Sequence, residues 1–209
     1  MELRGVRILV TSGPTRESWD SVRYLTSRSS GALGIEITRR AVSLGAKVTL
    51  VTSVDTDPQG FRLIKIESAL DMFEAVKGEY ESTDVFISAA AVADFRPVKS
   101  SVKISKKEGI PVIKLEQNTE ILRRAGENKE GRFLLGFSLT DTPDIEIART
   151  KMREKNCDMM VSNTVENLGS GRRSFTILSS DGMNSYSSVT TKKAAEIILE
   201  NCLKELKKI

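Results

Sequence analysis

The chain has 209 residues, of which 39% are hydrophobic and 29% are charged, and its mean hydropathy is -0.21. This balance is typical of a globular protein and excludes the fibrous, disulfide-rich and disordered classes. No apolar run approaches the roughly 20 residues that cross a bilayer, and the N-terminus lacks a signal-peptide pattern. We therefore expect a cytoplasmic protein without membrane contact.

Positive charge is concentrated in one stretch of the chain. The net charge is only +4, but residues 99–114 contain five lysines and a single acid, Glu108. We interpret this stretch as a candidate anion-binding loop, with a solvated charged surface as the alternative. Because it lacks interleaved aromatic residues and no nucleic-acid-binding motif is present, we do not expect nucleic acid as a partner.

The residue types present limit the chemistry that the chain can perform. With no histidine, Ser–His and Cys–His pairs and imidazole metal ligands are excluded. Cys157 and Cys202 are too few and too far apart for a disulfide framework or a four-ligand zinc site. We expect both to be reduced core residues.

Apolar runs and helical periodicities alternate along the chain. They predict strands at residues 7–11, 47–52, 62–66, 84–91, 132–137 and 158–161, and helices at 31–44, 69–77, 118–125, 144–155 and 190–206. Asn118 is the expected cap of the third helix. Two further β runs, 174–178 and 185–188, flank an Asp181-Gly182 turn.

These elements predict one α/β domain over residues 1–209. The expected fold is a Rossmann-like three-layer parallel sheet with helices on both faces and an antiparallel β extension at 174–188. Two short apolar alternations around Glu108-Gly109 predict a β-hairpin flap over 102–115. A mobile cationic flap suits phosphate chemistry, since stabilising developing negative charge is most of the task.

The start of the first predicted helix is a candidate phosphate site. Ser29, Ser30 and Gly31 offer hydroxyls, backbone N–H groups and the positive end of the helix dipole. A serine cap with glycines that bring helix and sheet together is the alternative. Residues 13–28 form too long a loop for the dinucleotide fingerprint, and in it Arg16 and Arg23 are candidate anion ligands or members of surface ion pairs.

Further candidates follow the third strand and a later helix. The alanines at 89–91 would let a flat ligand approach the backbone, and Asp94 could orient a ligand, hold a cation or only cap a turn. Lys151 and Lys155 are four residues apart on one helix face, so they can contact one polyanion together. Stabilisation of the helix C-terminus is the alternative for this pair.

Five blocks of the sequence together resemble one known family. They are VRYLTSRSSGALG at 22–34, AAAVADFRP at 89–97, KISKK at 103–107, Gly136-Phe137, and K-x-x-x-K-x-x-D-x-x-V-x-N at 151–163. In this order, over nearly the whole chain, they resemble phosphopantothenoylcysteine synthetase. That ligase is one half of the bacterial bifunctional phosphopantothenoylcysteine decarboxylase/synthetase, and this sequence resembles a free-standing version of it.

The resemblance implies a reaction in coenzyme A biosynthesis. The carboxylate of 4′-phosphopantothenate attacks the α-phosphate of CTP, which gives an acyl-cytidylate and pyrophosphate. The amine of L-cysteine then displaces CMP and forms phosphopantothenoylcysteine. The resemblance also implies Mg²⁺ with the CTP, no redox cofactor and a homodimer, and it allows a separate decarboxylase as a partner. The metal ligands and the preference for CTP over ATP stay open.

The resemblance also implies roles for individual residues. Lys103 would stabilise charge during activation, and Ser27 occupies the position of a family asparagine implicated in the fate of the acyl-cytidylate. The expected nucleotide contacts are Ala89, Ala90, Ala91, Asp94, Lys103, Asn118, Phe137, Lys151 and Lys155. The expected phosphate or substrate contacts are Arg16, Arg23, Ser29, Ser30 and Gly31.

The sequence departs from the family pattern at several positions. Ser27 has a shorter side chain than asparagine and a single hydroxyl. Ala32 replaces a common lysine, Thr119-Glu120 replaces Pro-Asp, and Arg172-Arg173 fall where acidic or amide residues are expected. Two alternatives therefore stay open: an NAD(P)- or flavin-dependent oxidoreductase, suggested by the Rossmann-like unit alone, and a non-catalytic nucleotide-binding relative of the ligase.

Overall fold

A computed structural model describes residues 2–167, 169 and 171–207. Over these residues the chain forms five α-helices: α1 (Ala32–Ser43), α2 (Ala69–Tyr80), α3 (Ile121–Glu127), α4 (Ile145–Glu154) and α5 (Thr191–Leu206). The strands are β1 (Arg7–Ser12), β2 (Arg16–Ser18), β3 (Tyr24–Thr26), β4 (Lys47–Thr52), β5 (Arg62–Lys65), β6 (Val85–Ser88), β7 (Phe95–Pro97), β8 (Leu115–Gln117), β9 (Phe133–Thr140), β10 (Met159–Thr164), β11 (Arg172–Ser179) and β12 (Gly182–Thr190). No helix in these residues is both long enough and apolar enough to span a bilayer.

Eight of the described strands form one sheet. Their order is β12-β11-β10-β9-β6-β1-β4-β5, and every neighbouring pair from β10 to β5 is parallel. The last two strands, β11 and β12, add to this sheet in antiparallel orientation. The expected Rossmann-like α/β fold with an antiparallel extension is confirmed.

Alternate residues of the central strands face two different helix layers. In β1, Ile8 and Val10 pack with α1 and α5, whereas Leu9 packs with α2, α3 and α4. All three side chains are at most 3% exposed. Burial of such a side chain contributes about 1.5–3 kcal/mol, so the two layers stabilise the sheet, and its parallel pairings bring the ends of β1, β4, β6, β9 and β10 to one edge.

Several predicted elements have slightly different bounds in the structure, and two of these differences concern candidate site residues. The strand expected at 84–91 ends at Ser88, and beyond it only an isolated parallel bridge between Ala91 and Pro14 continues the pairing, with the Ala91 N–H donating to the carbonyl of Gly13 at 2.9 Å. The helix expected at 118–125 begins at Ile121, and Asn118 does not cap it. The Asn118 amide instead donates to the carbonyl of Ala93.

The hairpin expected within residues 102–115 is not formed. This segment contains a short 3₁₀ turn, Lys106–Glu108, and its end enters β8, which pairs with β7. The two apolar alternations therefore do not pair with each other, because a strand twenty residues earlier provides the partner of the second one. The segment is still a surface excursion that carries the lysines.

Two short antiparallel ribbons, which we call the ribbon lobe (residues 16–26 and 95–117), pack beside the sheet. β2 pairs with β3, β7 pairs with β8, and β2 contacts β7. The buried Glu17 joins the lobe to the helices, because its carboxylate accepts from the N–H of Ala69 at 2.9 Å, at the start of α2. The apolar pattern of the sequence predicts no strand at residues 16–26, so β2 and β3 are additions to the expected fold.

Both cysteines are free and buried. Burial raises the pKa of the Cys157 thiol to about 12 and raises the pKa of the Cys202 thiol as well. Both thiols therefore stay protonated at neutral pH, as expected of core residues.

Candidate functional site

A cleft of about 720 Å³ lies at the edge where the parallel strands end. This volume suits a small ligand, and the carboxyl edge of an open α/β sheet is the usual place for one. Of the candidates named from the sequence, the structure brings the following to the cleft: Ser27, Ser29, Ser30, Gly31, Ala89, Ala90, Ala91, Asp94, Asn118, Phe137, Lys151 and Lys155. It leaves Arg16, Arg23 and Lys103 outside.

The start of α1 forms one end of the cleft. Gly31 has a φ of 71°, and its carbonyl accepts from the Ser12 hydroxyl at 2.7 Å. A Cβ on Gly34 would lie 2.6 Å from the Ser12 Cβ, so glycine is required for this helix to approach β1. The close-approach role of the glycines is thus confirmed.

The first turn of α1 also leaves backbone donors open. No side chain caps this helix, and the Ser30 hydroxyl lies 3.5 Å from the N–H of Ala32. Within the described chain, the N–H groups of Leu33 and Gly34 have no acceptor. Open donors at the positive end of a helix dipole favour an anion.

The apolar wall of the cleft draws on both layers of helices: Phe137 and Ala89 pack with the α1–α5 layer, whereas Ile121 and Leu122 belong to the opposite one. Phe137 is half-buried in the cleft wall together with Ile121, Leu122 and Leu139. The alanines at 89–91 are also half-buried there and leave room beside the backbone. This combination suits a flat ring, which gains from burial of its faces.

Asn118 holds the loop that carries Asp94. Its side-chain amide donates to the Ala93 carbonyl at 2.9 Å, and its backbone N–H donates to the Asp94 carbonyl at 2.8 Å. Its amide oxygen accepts from Arg96 at 2.9 Å. Asn118 therefore lines the cleft with its amide engaged inside the protein, whereas the exposed Asp94 carboxylate has no partner among the described residues.

Three cations line the cleft. Lys155 pairs with Glu120 at 3.0 Å, whereas Lys151 is half-buried and no described carboxylate pairs with it. Arg173, for which the sequence predicted no role, donates from Nε to the Thr191 hydroxyl at 3.2 Å. Burial lowers the pKa of the Arg173 guanidinium. The only sequence signal at this position was a departure from the residue types expected there.

The candidates outside the cleft lie in the ribbon lobe. The Arg16 guanidinium lies 5.3 Å from the centre of the Tyr24 ring. Arg23 forms an ion pair with the buried Asp20 and donates to the carbonyl of Ile104 at 3.0 Å. This is the ion-pair arrangement that was the alternative for Arg23.

The same carboxylate ties the lysine-bearing segment to the lobe. Asp20 accepts from the N–H of Ile104 at 3.1 Å, next to the exposed Lys103. The hydrogen bond from Arg23 holds the pKa of the Asp20 carboxyl well below its usual range. The Lys103 side chain itself has no partner among the described residues.

The acidic side chains limit how a metal ion could be held. Among the described residues, no three His, Cys, Asp or Glu side chains cluster as a metal site. Mg²⁺ commonly uses one or two carboxylates together with substrate phosphates and water. The unpartnered carboxylate of Asp94 fits that mode, in which most ligands come from the nucleotide.

Comparison with known proteins identifies relatives. The family model for the DNA/pantothenate metabolism flavoprotein C-terminal domain matches residues 3–206. The coenzyme A biosynthesis bifunctional protein CoaBC of Bacillus subtilis is 41% identical over 174 residues, which are 81% of this chain and 43% of that protein. The chain thus spans about half the length of the curated relatives that it matches.

Solved structures agree with the family match. The crystal structure of the C-terminal domain of a CoaBC protein is 38% identical, covers 99% of this chain and 98% of that one, and has a TM-score of 0.85. A Cab2 mutant in complex with phosphopantothenate-cysteine shares the fold at 16% identity, with a TM-score of 0.80 over 98% of this chain and 87% of that one. The resemblance found in the sequence blocks is confirmed, and the chain belongs to the family of DNA/pantothenate metabolism flavoprotein C-terminal domains.

Proposed function

We propose that this chain joins 4′-phosphopantothenate to L-cysteine with CTP and Mg²⁺ and so makes phosphopantothenoylcysteine. One observation carries the proposal: a single cleft combines an open helix N-terminus for phosphate, an apolar wall for a base and the unpaired Lys151. The name of the Bacillus relative, a coenzyme A biosynthesis protein, supports the same pathway. The phosphopantothenate-cysteine held by the Cab2 mutant supports the same product.

The first step activates the carboxylate. A carboxylate oxygen attacks the α-phosphorus of CTP, and the bond from that phosphorus to the pyrophosphate oxygen breaks. Negative charge grows on the leaving pyrophosphate, where open N–H groups of α1 and the ammonium of Lys103 would stabilise it. Magnesium bound with the triphosphate supplies further charge neutralisation, and Asp94 is the residue that would hold it.

The second step forms the amide. The cysteine amine attacks the acyl carbon, the bond from this carbon to the CMP oxygen breaks, and the amine loses a proton. Ser27 lines the cleft, and we assign to it a contact with the acyl-cytidylate in this step. Its hydroxyl already accepts weakly from the N–H of Ser29 at 3.3 Å and can still donate one hydrogen bond.

The base would lie on the apolar wall. Phe137 and the alanines at 89–91 support stacking of a flat ring there. Lys151 can donate to an acceptor at the edge of the base, and the Lys155–Glu120 pair offers a donor and an acceptor together. Cytosine presents both kinds of group, as adenine also does, so this pair is compatible with CTP and the choice between CTP and ATP is left to the experiment below.

We also propose a homodimer in which the ribbon lobe of one copy completes the cleft of the other. The lobe exposes large apolar side chains, which are Val22, Tyr24, Leu25, Phe95, Val98, Val102, Ile110, Val112 and Leu115. An exposed apolar surface of this kind is typical of an interface. Such a dimer would also give Arg16, Arg23 and Lys103 access to a partner's cleft. We further propose that a separate decarboxylase is a partner of this chain and that the chain acts in the cytoplasm.

The decisive experiment measures pyrophosphate release from CTP with Mg²⁺ and 4′-phosphopantothenate, with and without cysteine, and identifies products by mass spectrometry. The proposal predicts CMP and phosphopantothenoylcysteine only when all substrates are present. Release of pyrophosphate without amide would limit the chain to the first step. Absence of pyrophosphate release with both CTP and ATP would favour a non-catalytic nucleotide-binding protein.

A further inference from the structure

Arg173 is a cation without a charge partner at the cleft. The side chain is half-buried, and among the residues that the structure describes it makes one hydrogen bond, to Thr191. No described carboxylate pairs with it, and burial is the one cause that lowers the pKa of its guanidinium. Because arginine keeps its charge at ordinary pH, an unpaired and partly buried guanidinium lowers stability until an anion binds.

The topology brings Arg173 to the same end of the cleft as the start of α1. β10 and β12 both run antiparallel to β11, so β12 ends, and α5 starts, at the carboxyl edge of the sheet. α1 starts at this edge too, because it follows β1, and it packs beside α5 on one face. The bond from Arg173 to Thr191, the first residue of α5, therefore fixes the guanidinium near the open donors of α1.

The backbone around Arg173 is held in place. The strand register shifts between Arg173 and Phe175, and an irregularity of this kind redirects side chains. The side chain of Asn167 accepts from the N–H of Ser174 at 3.0 Å and donates to its carbonyl at 2.8 Å. These bonds keep the residue beside Arg173 in position.

We propose that Arg173 binds the terminal phosphates of the nucleoside triphosphate, at the open N-terminus of α1. Its two terminal nitrogens have no described acceptor, and a planar guanidinium can bind two phosphate oxygens at once. The assignment to this end of the nucleotide follows from the opposite location of Lys151, since α4 packs on the other face of the sheet. The inference rests on the proposed function and adds a residue that stabilises the pyrophosphate leaving group.

Calorimetric titration of the full chain tests this assignment. The ligands are inorganic pyrophosphate, CTP, CMP and 4′-phosphopantothenate, and the variants are Arg173→Asn and Arg173→Lys. Arg172→Asn is the matched control, because it removes the same charge from an exposed neighbour that bonds to Ser188 and lies outside the cleft.

Arg173→Asn is expected to weaken pyrophosphate and CTP binding about 10- to 100-fold, the usual effect of losing a hydrogen-bonded charge. CMP and 4′-phosphopantothenate should bind as in the wild type, and Arg172→Asn should change nothing. Arg173→Lys should fall between, because it keeps the charge and loses the planar fork. Thermal unfolding verifies that each variant is folded. If Arg173→Asn does not fold, the binding measured with Arg173→Lys tests the inference.

Unchanged binding of CTP and pyrophosphate in folded Arg173 variants would overturn the inference. A loss of binding confined to 4′-phosphopantothenate would also overturn it, because Arg173 would then bind the other phosphate source. A wild type that binds neither CTP nor pyrophosphate would overturn it as well. A wild type that binds pyrophosphate through Arg173 but makes no amide would refute the ligase function alone. If the wild type is an active ligase and the Arg173 variants bind CTP as tightly as it does, this inference alone is refuted.

Discussion

The sheet and the ribbon lobe are held together by different interactions. In the sheet, Phe86, Leu134 and Leu135 are fully buried between two layers of helices. In the lobe, Val102 and Val112 are 67% and 90% exposed, and polar groups such as Asp20 make the connections. The sheet can therefore give the proposed nucleotide a fixed cleft, while the lobe can carry Lys103 on a segment that a few hydrogen bonds hold.

The sharpest test of this difference removes one apolar side chain from each region. Phe86→Ala should lower the free energy of unfolding by about 3–5 kcal/mol, because it leaves a cavity at a fully buried position. Val102→Ala, at a position exposed in the single chain, should change the free energy of unfolding of the monomer by less than about 0.5 kcal/mol. Denaturant unfolding of both variants measures these values, and equal losses would contradict the division into two regions.

The next test concerns chemistry rather than stability. Lys103→Ala should reduce pyrophosphate release about 100-fold or more, because it removes a cation proposed to act on the developing charge. Unfolding should be unchanged, since Lys103 is exposed. Lys106→Ala, which removes an exposed charge from the same segment, is the control. Release at the wild-type rate by folded Lys103→Ala protein would remove the proposed role.

A smaller effect should appear on acidification. Because the pKa of Asp20 is lowered in the folded state, its contribution to stability is present above its unfolded pKa of about 3.9 and is lost as the pH falls below that value. Asp20→Asn should therefore show less change in unfolding free energy between pH 6 and pH 3 than the wild type, as judged by denaturant titrations. Asp141→Asn, at an exposed carboxylate without a described partner, should follow the wild type. Parallel behaviour of the two variants would show that Asp20 does not stabilise the lobe.

The smallest expected change is at Ser27, where the two regions meet. Ser27→Asn should speed amide formation a few-fold, because the longer amide side chain offers a second polar atom to the acyl-cytidylate. Single-turnover rates from preformed acyl-cytidylate measure this step apart from activation. A rate that is unchanged or lower would mean that serine at this position does not slow amide formation.

The sequence predicted the sheet better than the lobe for a physical reason. Residues 47–52 form a buried strand whose apolar pattern is local, and Asp144 caps α4 through the N–H of Ile147, a contact three residues away. β7 instead finds its partner β8 across a long surface excursion, which no local pattern encodes. Asn118 illustrates the same limit, since its amide bonds to Ala93 rather than to the adjacent helix.

The candidate site shows a similar division. Residues at strand ends and helix starts, such as Ser29, Ala89 and Lys151, could be assigned to one cleft because parallel strands end at one edge. Arg173 could not, because its place depends on an antiparallel strand, a shift in strand register and a bond to Thr191. The separation of Lys103 from the cleft of its own chain was equally absent from the local sequence pattern.

The two buried thiols have a consequence for the proposed reaction with cysteine. Free cysteine and its oxidised form, cystine, exchange with accessible protein thiolates and form mixed disulfides. Cys157 and Cys202 are buried and protonated, so neither presents the thiolate that such exchange requires. Neither thiol would therefore form a mixed disulfide with cysteine, the proposed amino-acid substrate, or with cystine.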